Sequence, residues 1–395
     1  MRRAAEWLRP PRRTVEAARP LQASGRLFCQ SYREREEMSM GRVRLLTSAV
    51  GVSVFAVLFL GARAELQEAG PRVSSVSGQI AHGATVTIVG SGFGSKPSGP
   101  PLKWDNFEGG TPGAYLQGWD LDPAIPQYSS AVVRPNSTRS ARASFVGGVY
   151  ASNFGIKGRP LPRIYFDAWY YYDAARPYSR NHKLFRIHAN TYSPNLYYNI
   201  YCAGVSASHL SQDGVDPRGM VAHIWISPTA DYFSRRWVHL QGYFKESSPN
   251  LDDGVAYLWI DGVKHVDLSR FITRNTPSSS WDTLWFGNYL SHDSEGSCPE
   301  YGDAYTYWDD VYVDVTQARV EIGDASTYSS SRHREIQIPS EWSDTSIKVS
   351  LNRGSFQNFN GLYLYVVDSN GNVSQGFPLS GPMAPASPTN LRIVR

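Results

Sequence analysis

After residue 65 the chain carries no apolar period of helical length. Short β-branched or aromatic runs recur instead, bounded by Gly, Pro, Asn and Asp. Period-two runs closed by turn residues are the pattern of strands, which predicts an all-β protein. One unit sets a sharper constraint. Residues 71–99, PRVSSVSGQIAHGATVTIVGSGFGSKPSG, begin a strand at Val73 and Val76 and hold a second over 84–89, with Val86 and Ile88 on one face. His82-Gly83 turns between them, and Gly90-Ser-Gly-Phe-Gly closes the unit where positive φ or close backbone approach is needed. A hairpin of about 30 residues cannot bury a core alone. Its partners must come from elsewhere in the chain.

The next stretch does not supply them. Residues 101–316 have longer strands and are dense in Trp and Tyr, of which the whole chain has 11 and 24. The earlier style returns near 319, in ARVEIGDAS, EIQIPSEWSDTSIKVSLNRGSF and GLYLYVVDSNGNVSQGFPL. The pieces SVSG, HG, VTI and GSGFG of the first unit resemble the opening of an IPT/TIG domain, an immunoglobulin-like fold. The later segments resemble its remaining strands in order. The resemblance implies a split domain, 71–100 with 317–379, making roughly 90 residues, and an insertion over 101–316. Insertion requires a guest whose ends lie close together. Val86 and Ile347 are then expected in one core. Residues 380–395, with Pro382, Pro385 and Pro388, read as a tail or linker.

The inserted segment opens on KWDNFEGG (103–110) and closes on TYWDDVYVDV (306–315). Between them, RRWVHLQGYFKE (235–246) leads into DDGVAYLWIDGVKH (252–265), with Asp261-Gly262 as a tight turn, and WDTLWFGNYLSH (281–292) follows. Together these resemble the concanavalin A-like jelly roll, two antiparallel sheets stacked face to face. That family spans lectins, carbohydrate-binding modules, glycosidases and polysaccharide lyases, and its first and last strands are neighbours. In related binding modules the opening and closing strands share one structural Ca²⁺. The resemblance implies Glu108, the carbonyl of Gly109 or Gly110, and Asp309 or Asp310 as ligands, hard oxygens that suit calcium. Adjacent strand residues face opposite sides, so one of the two aspartates is the ligand. The alternative is that both are solvated or bonded to loop amides.

Alternation places Arg186, His188 and Asn190 on one face of NHKLFRIHAN (181–190), and Phe185 and Ile187 on the other. Tyr197, Asn199 and Tyr201 share a face, as do His223 and Trp225, while Asn288 lies opposite Trp285 and Tyr289. Sugars need such a mixture, aromatic faces for C–H surfaces and fixed donors for hydroxyls. An Arg suits a uronate carboxylate. Lys183, Asn190, Asn199, His223, Trp225, Asn288 and Tyr289 are the expected substrate-binding set. The competing reading is that these aromatics only fill the sandwich. Retaining glycosidases of this fold need two carboxylates about 5 Å apart on one face, but YFDAWYYYD offers only Asp167 and Asp173 at the wrong spacing. A uronate lyase needs a neutraliser, a base and an acid. Arg186 is the candidate neutraliser, His188 the base, and Tyr197, Tyr198 or Tyr289 the acid. A secreted polysaccharide-binding protein is the leading expectation, with a polysaccharide lyase and a structural or adhesive surface protein as alternatives. No nucleophile elbow, phosphate loop or zinc-protease helix is present in the sequence.

Eleven Arg and five Glu in 1–44 supply +6 of charge to a chain of net +4, leaving about −2 on the rest. The folded part therefore lacks the basic balance of a nucleic-acid binder. MGRVR (40–44), the apolar run 45–60 and Ala62-Arg63-Ala64 read as a signal peptide cleaved near Ala64. The run is shorter than the 20 or so residues of a membrane span, so the mature chain is expected to be exported without one. Residues 1–39 are unlike such a signal, and a true start at Met38 or Met40 is expected. Cys29 lies in this leader. Cys202 and Cys298 then form a disulfide or remain two buried thiols.

Overall fold

The computed structural model describes residues 70–122, 126–145, 151–173, 182–190, 193–202, 206–213, 222–226, 230–290 and 304–379. The expectations for the leader, the signal peptide, Cys298 and the tail lie outside the described residues, as does the side chain of Cys202. The described chain is all-β, with antiparallel sheets in a sandwich, jelly-roll-like arrangement. A short 3-10 turn at Ala230–Phe233 is its one helical element among the described residues. None of the described helices is long and apolar enough to cross a membrane.

The hairpin of Arg72–Ser77 and Thr85–Ser91 finds its partner late in the chain. Thr85–Ser91 pairs with Ser346–Ser350, setting Val86 opposite Val349 and Ile88 opposite Ile347. Arg334–Trp342, Arg319–Gly323, Tyr363–Val367 and Phe377–Pro378 continue the order to seven strands. Alternation explains the packing: Val86 and Ile88 are buried while Thr85 and Val89 are exposed. Val86, Ile88, Phe93, Val320, Ile322, Ile347, Val349 and Leu364 form one apolar cluster. This is the small sandwich.

The large sandwich stacks two sheets. One runs in the order Ala222–Ile226, Ser206–Asp213, Asn195–Cys202, His182–His188, Thr283–Leu290, Ala151–Ile156 and Asp120–Asp122. The other runs Val263–Phe271, Gly254–Ile260, Trp237–Lys245, Arg163–Tyr172, Ala304–Asp314, Ser140–Phe145 and Gln127–Ser129, with Lys103–Asp105 also on Ala304–Asp314. Trp104 thus faces Tyr312, and the segment's first and last strands lie side by side. Phe154, Phe166, Phe185, Phe286 and Trp308 fill the space between the sheets, with Phe166 and Phe185 edge to face at 4.8 Å. Such pairs add about 0.5–1.5 kcal/mol each to simple burial.

The eight-stranded sheet buries its second face too. Tyr165, Tyr243 and Tyr312 cluster there with Ile336 of the small sandwich. A polar seam surrounds that contact. Arg134 pairs with Asp310 and with Glu335, and its guanidinium lies 4.0 Å from the Trp169 ring. Gln241 Nε2 donates to Asp167 at 2.8 Å, and Arg319 Nε to Glu321 at 2.8 Å. Buried charge is tolerated only when paired and hydrogen-bonded, and here nearly every charge has an opposite.

Candidate active site

The outward face of the large sandwich's seven-stranded sheet, the one that holds His182–His188, gathers the polar residues. Phe185 and Ile187 of His182–His188 point into the core, 1% and 0% exposed, so Arg186 between them takes the other face. The ladder then builds rows across neighbouring strands. Arg186 stands between Tyr197 and Trp285, and Tyr197 is followed by Ser211 and His223. His188 stands between Asn195 and Thr283. Lys183 stands between Asn199 and Tyr289, with His209 and Trp225 beyond Asn199. Directly opposed residues have Cβ atoms roughly 4.5–5.5 Å apart.

Lys183 reaches this face through a bulge. Strict alternation puts it with Phe185, in the core. The register against Asn195–Cys202 instead jumps at Tyr198/Asn199, leaving Leu184 without an opposite residue. An extra residue resets the alternation. Leu184 and Phe185 are both buried in the core cluster, and the Lys183 ammonium comes 4.2 Å from the Tyr197 ring.

Arg186 Nε donates to Asn195 Oδ1 at 3.5 Å. His188 Nδ1 donates to the Ala189 carbonyl at 2.7 Å. A carbonyl can only accept, so the proton is on Nδ1 and the Nε2 lone pair is the basic one. Burial holds the His188 pKa below its ordinary value. The imidazole is therefore neutral near pH 7, as a proton acceptor must be.

Tyr198 does not join the site. Its ring lies in the core 6.1 Å from Phe185 and 6.0 Å from Phe233, and burial pushes its hydroxyl pKa well up. The ladder is regular at this point, with Tyr197 opposite Arg186 and Tyr198 opposite Phe185, so only Tyr197 is brought beside Arg186. Asn190 is exposed in the turn after His188. The side chains of Asn199, His223, Trp225, Asn288 and Tyr289 lie outside the described residues, and the register alone places their backbones. Asn195 and Thr283 were absent from the expected set. Asn195 shares the period of Tyr197 and Asn199, which was the available signal.

The expected calcium residues divide. Asp310, at a positive φ of 48°, pairs with Arg134 and faces the seam. The Gly110 carbonyl accepts from Arg139 Nε at 3.3 Å. Asp310 is thereby committed to a cation of the protein, whereas the Gly110 carbonyl keeps a second lone pair. Glu108 Oε1 accepts the Thr138 and Arg139 amides at 2.7 and 3.1 Å. Asp309 is fully buried; its Oδ1 accepts the Asp310 amide at 2.9 Å, and its Oδ2 has no hydrogen-bond partner. Burial first, and Asp310 second, push its pKa well up, against the opposing pull of the Arg134 charge and then of the Ser137 side chain. Glu108 and Asp309 therefore approach one turn, 137–139, with one carboxylate oxygen unsatisfied, which fits a hard cation. Among the described residues no three His, Cys, Asp or Glu side chains converge, so carbonyls or water would complete the shell.

The sequence matches no protein-family model and no curated protein. Several solved structures resemble part of the chain. An alginate lyase bound to an alginate trisaccharide is 14% identical over 55% of this chain and 99% of its own, with a TM-score of 0.45. An endo-β-1,4-glucuronan lyase from the fungus Trichoderma reesei is 15% identical over 54% of this chain and 95% of its own, at 0.43. An alginate lyase from a Chlorella virus is 14% identical over 52% and 99%, at 0.37. Scores this low leave the chemistry of the face to its own residues.

Proposed function

We propose that the outward face of the large sandwich's seven-stranded sheet binds a uronate-containing polysaccharide and cleaves it by β-elimination. The observation that carries this reading is the adjacency of Arg186, Asn195, His188 and Tyr197 on two neighbouring strands. β-Elimination needs three roles at one sugar: a charge on the carboxylate, a base for the proton on the carbon bearing it, and an acid for the leaving oxygen. Arg186, steadied by Asn195, holds the carboxylate and favours the carbanion-like transition state. His188 Nε2 takes the proton. The electron pair forms the ring double bond as the glycosidic C–O bond breaks, and Tyr197 protonates the departing oxygen. Lys183 adds a second cation beside Tyr197 for the polymer's next carboxylate.

Incubation with alginate, glucuronan and other uronate polymers, followed in the ultraviolet for the unsaturated product, tests this. Release of that product, lost on Arg186→Ala, is the expected result. Retention on immobilised polymer with no product would reduce the face to a binding surface.

The same proposal assigns the small sandwich to the IPT/TIG fold, split around the jelly roll, on the strength of the pairing between Thr85–Ser91 and Ser346–Ser350. It assigns Ca²⁺ to Glu108, Asp309 and oxygens of the turn 137–139, where the ion would tie the opening and closing strands. It also assigns export through 40–64 and a Cys202–Cys298 disulfide. An exported protein beginning at Glu65 and lacking free thiol would agree; two titratable thiols would not.

A further inference from the structure

The hairpin of Gly254–Ile260 and Val263–Phe271 edges the sheet that packs on the small sandwich. Beside that junction lies an open cleft of about 380 Å³, lined by Trp259 and Lys264 of the hairpin and by Gln317, Arg319, Tyr328 and Arg332 opposite. Small-ligand sites usually measure about 300–1,000 Å³.

Its walls are held in place from behind. Arg319 Nη2 donates to the Tyr328 hydroxyl at 2.8 Å, and the Arg334 guanidinium lies 4.1 Å over the Tyr328 ring. The Asp261-Gly262 turn, with φ of 46° and 73°, presses against the opposite wall. A Cβ at Gly262 would stand 3.1 Å from the Arg332 carbonyl oxygen, so the turn and the 331–332 backbone are already in contact. A site preorganised in this way loses little entropy on binding.

Its chemistry is cationic and aromatic. Lys264 is exposed, with its ammonium 5.2 Å from the Trp259 ring and 4.2 Å from Tyr257. Its ion pair is with Asp267 at 3.2 Å, itself 65% exposed, and such surface pairs hold their partners weakly. Arg332 is exposed and has no ion pair among the described residues. The nearby carboxylate, Glu321, is buried and committed to Arg319 and Arg334. It leaves Arg332 without a carboxylate among the described residues and Lys264 with only its exposed Asp267 pair. An indole face offers a platform for sugar C–H groups, and flanking cations read carboxylates.

We propose that this junction cleft is a second, non-catalytic subsite for an acidic oligosaccharide, on the sheet opposite the one that carries Arg186. It rests on the uronate reading only for the identity of the polymer. Trp259 stacks on one sugar ring while Lys264 and Arg332 take the carboxylates of that ring and its neighbour.

The test is calorimetric binding of an alginate or glucuronan pentasaccharide to the full chain, with cellopentaose as the neutral control. Protein carrying Arg186→Ala should keep one uronate site. Adding Trp259→Ala, or Lys264→Gln with Arg332→Gln, should weaken that site at least about tenfold. The double substitution changes only exposed side chains, so a folding defect in the Trp259 variant would not hide the answer. Cellopentaose should bind more weakly than either uronate. Unchanged affinity in both variants, or no binding to the Arg186→Ala protein, overturns the subsite. Turnover read in parallel separates the two proposals. Product without junction binding defeats only this subsite, and junction binding without product defeats only the lyase.

Discussion

Arg134 of the jelly roll and Glu335 of the small sandwich form an ion pair whose side chains are 1% and 0% exposed. The same guanidinium also pairs with Asp310. Arg134→Ala strands two carboxylates in a buried seam. Breaking a buried pair from one side typically costs about 3–5 kcal/mol. Denaturant unfolding should show a loss of that size, and a loss under about 1 kcal/mol would mean that water enters the seam.

His188 sets the acid limb of any turnover. Its neutral form is the base, and burial lowers its pKa from the ordinary 6.5. Activity should therefore be at its plateau near pH 7 and fall only as pH drops below that ordinary value. His188→Ala should lower kcat by about 10²–10⁴-fold. An acid limb centred above pH 7 would point to another base.

Glu321 makes stability sensitive to acid. Burial opposes its ionisation, but Arg319 and Arg334 outweigh burial and hold its pKa down at about 2, from an ordinary 4.5. A depressed pKa stabilises the fold above the unfolded value and loses that contribution as pH falls through the folded one. The window runs from about pH 4.5 down to about pH 2 and carries on the order of 3 kcal/mol. Urea midpoints across this range should show the decline. Glu321→Gln, less stable at neutral pH, should lack that part of it.

Ile347 tests whether the two distant segments share a core. It is fully buried opposite Ile88. Ile347→Ala should cost about 2–5 kcal/mol, read as a shift in denaturant midpoint at constant slope. A change under about 1 kcal/mol would show that the two segments are not packed together in solution.

Calcium has a stability readout of its own. Chelation by EDTA should lower the melting temperature by several degrees, and added Ca²⁺ should restore it. Asp309→Asn should be insensitive to both. A wild-type protein indifferent to EDTA and Ca²⁺ removes the ion from Glu108 and Asp309.

What the sequence made legible follows from period two. Val86 with Ile88, and Phe185 with Ile187, alternate cleanly, so their faces were readable residue by residue. The bulge at Leu184 was not. One extra residue leaves no compositional mark, yet it moves Lys183 from the core side to the Tyr197 side. Tyr197 and Tyr198 were equally plausible as letters, and only the register separates them. Asp309 and Asp310 split for a similar reason, since the positive φ at Asp310 turns it towards Arg134. The seam of Arg134, Glu335, Gln241 and Glu321 had no local signal at all. Its partners lie as far apart as 201 positions, and pairing at that range is a property of the packed domains alone.

The late arrival of Ser346–Ser350 beside Thr85–Ser91 has a consequence in time. Ribosomes add roughly 5–20 residues per second, so the first hairpin leaves the exit tunnel roughly 10–50 s before its neighbour is made. Through that interval its strand edge is an open template for any passing β-strand. The jelly roll, complete once Ala304–Asp314 closes beside Lys103–Asp105, brings the returning chain back to where it left. The order of synthesis thus leaves the core around Val86 and Ile347 among the last parts of the chain that can close.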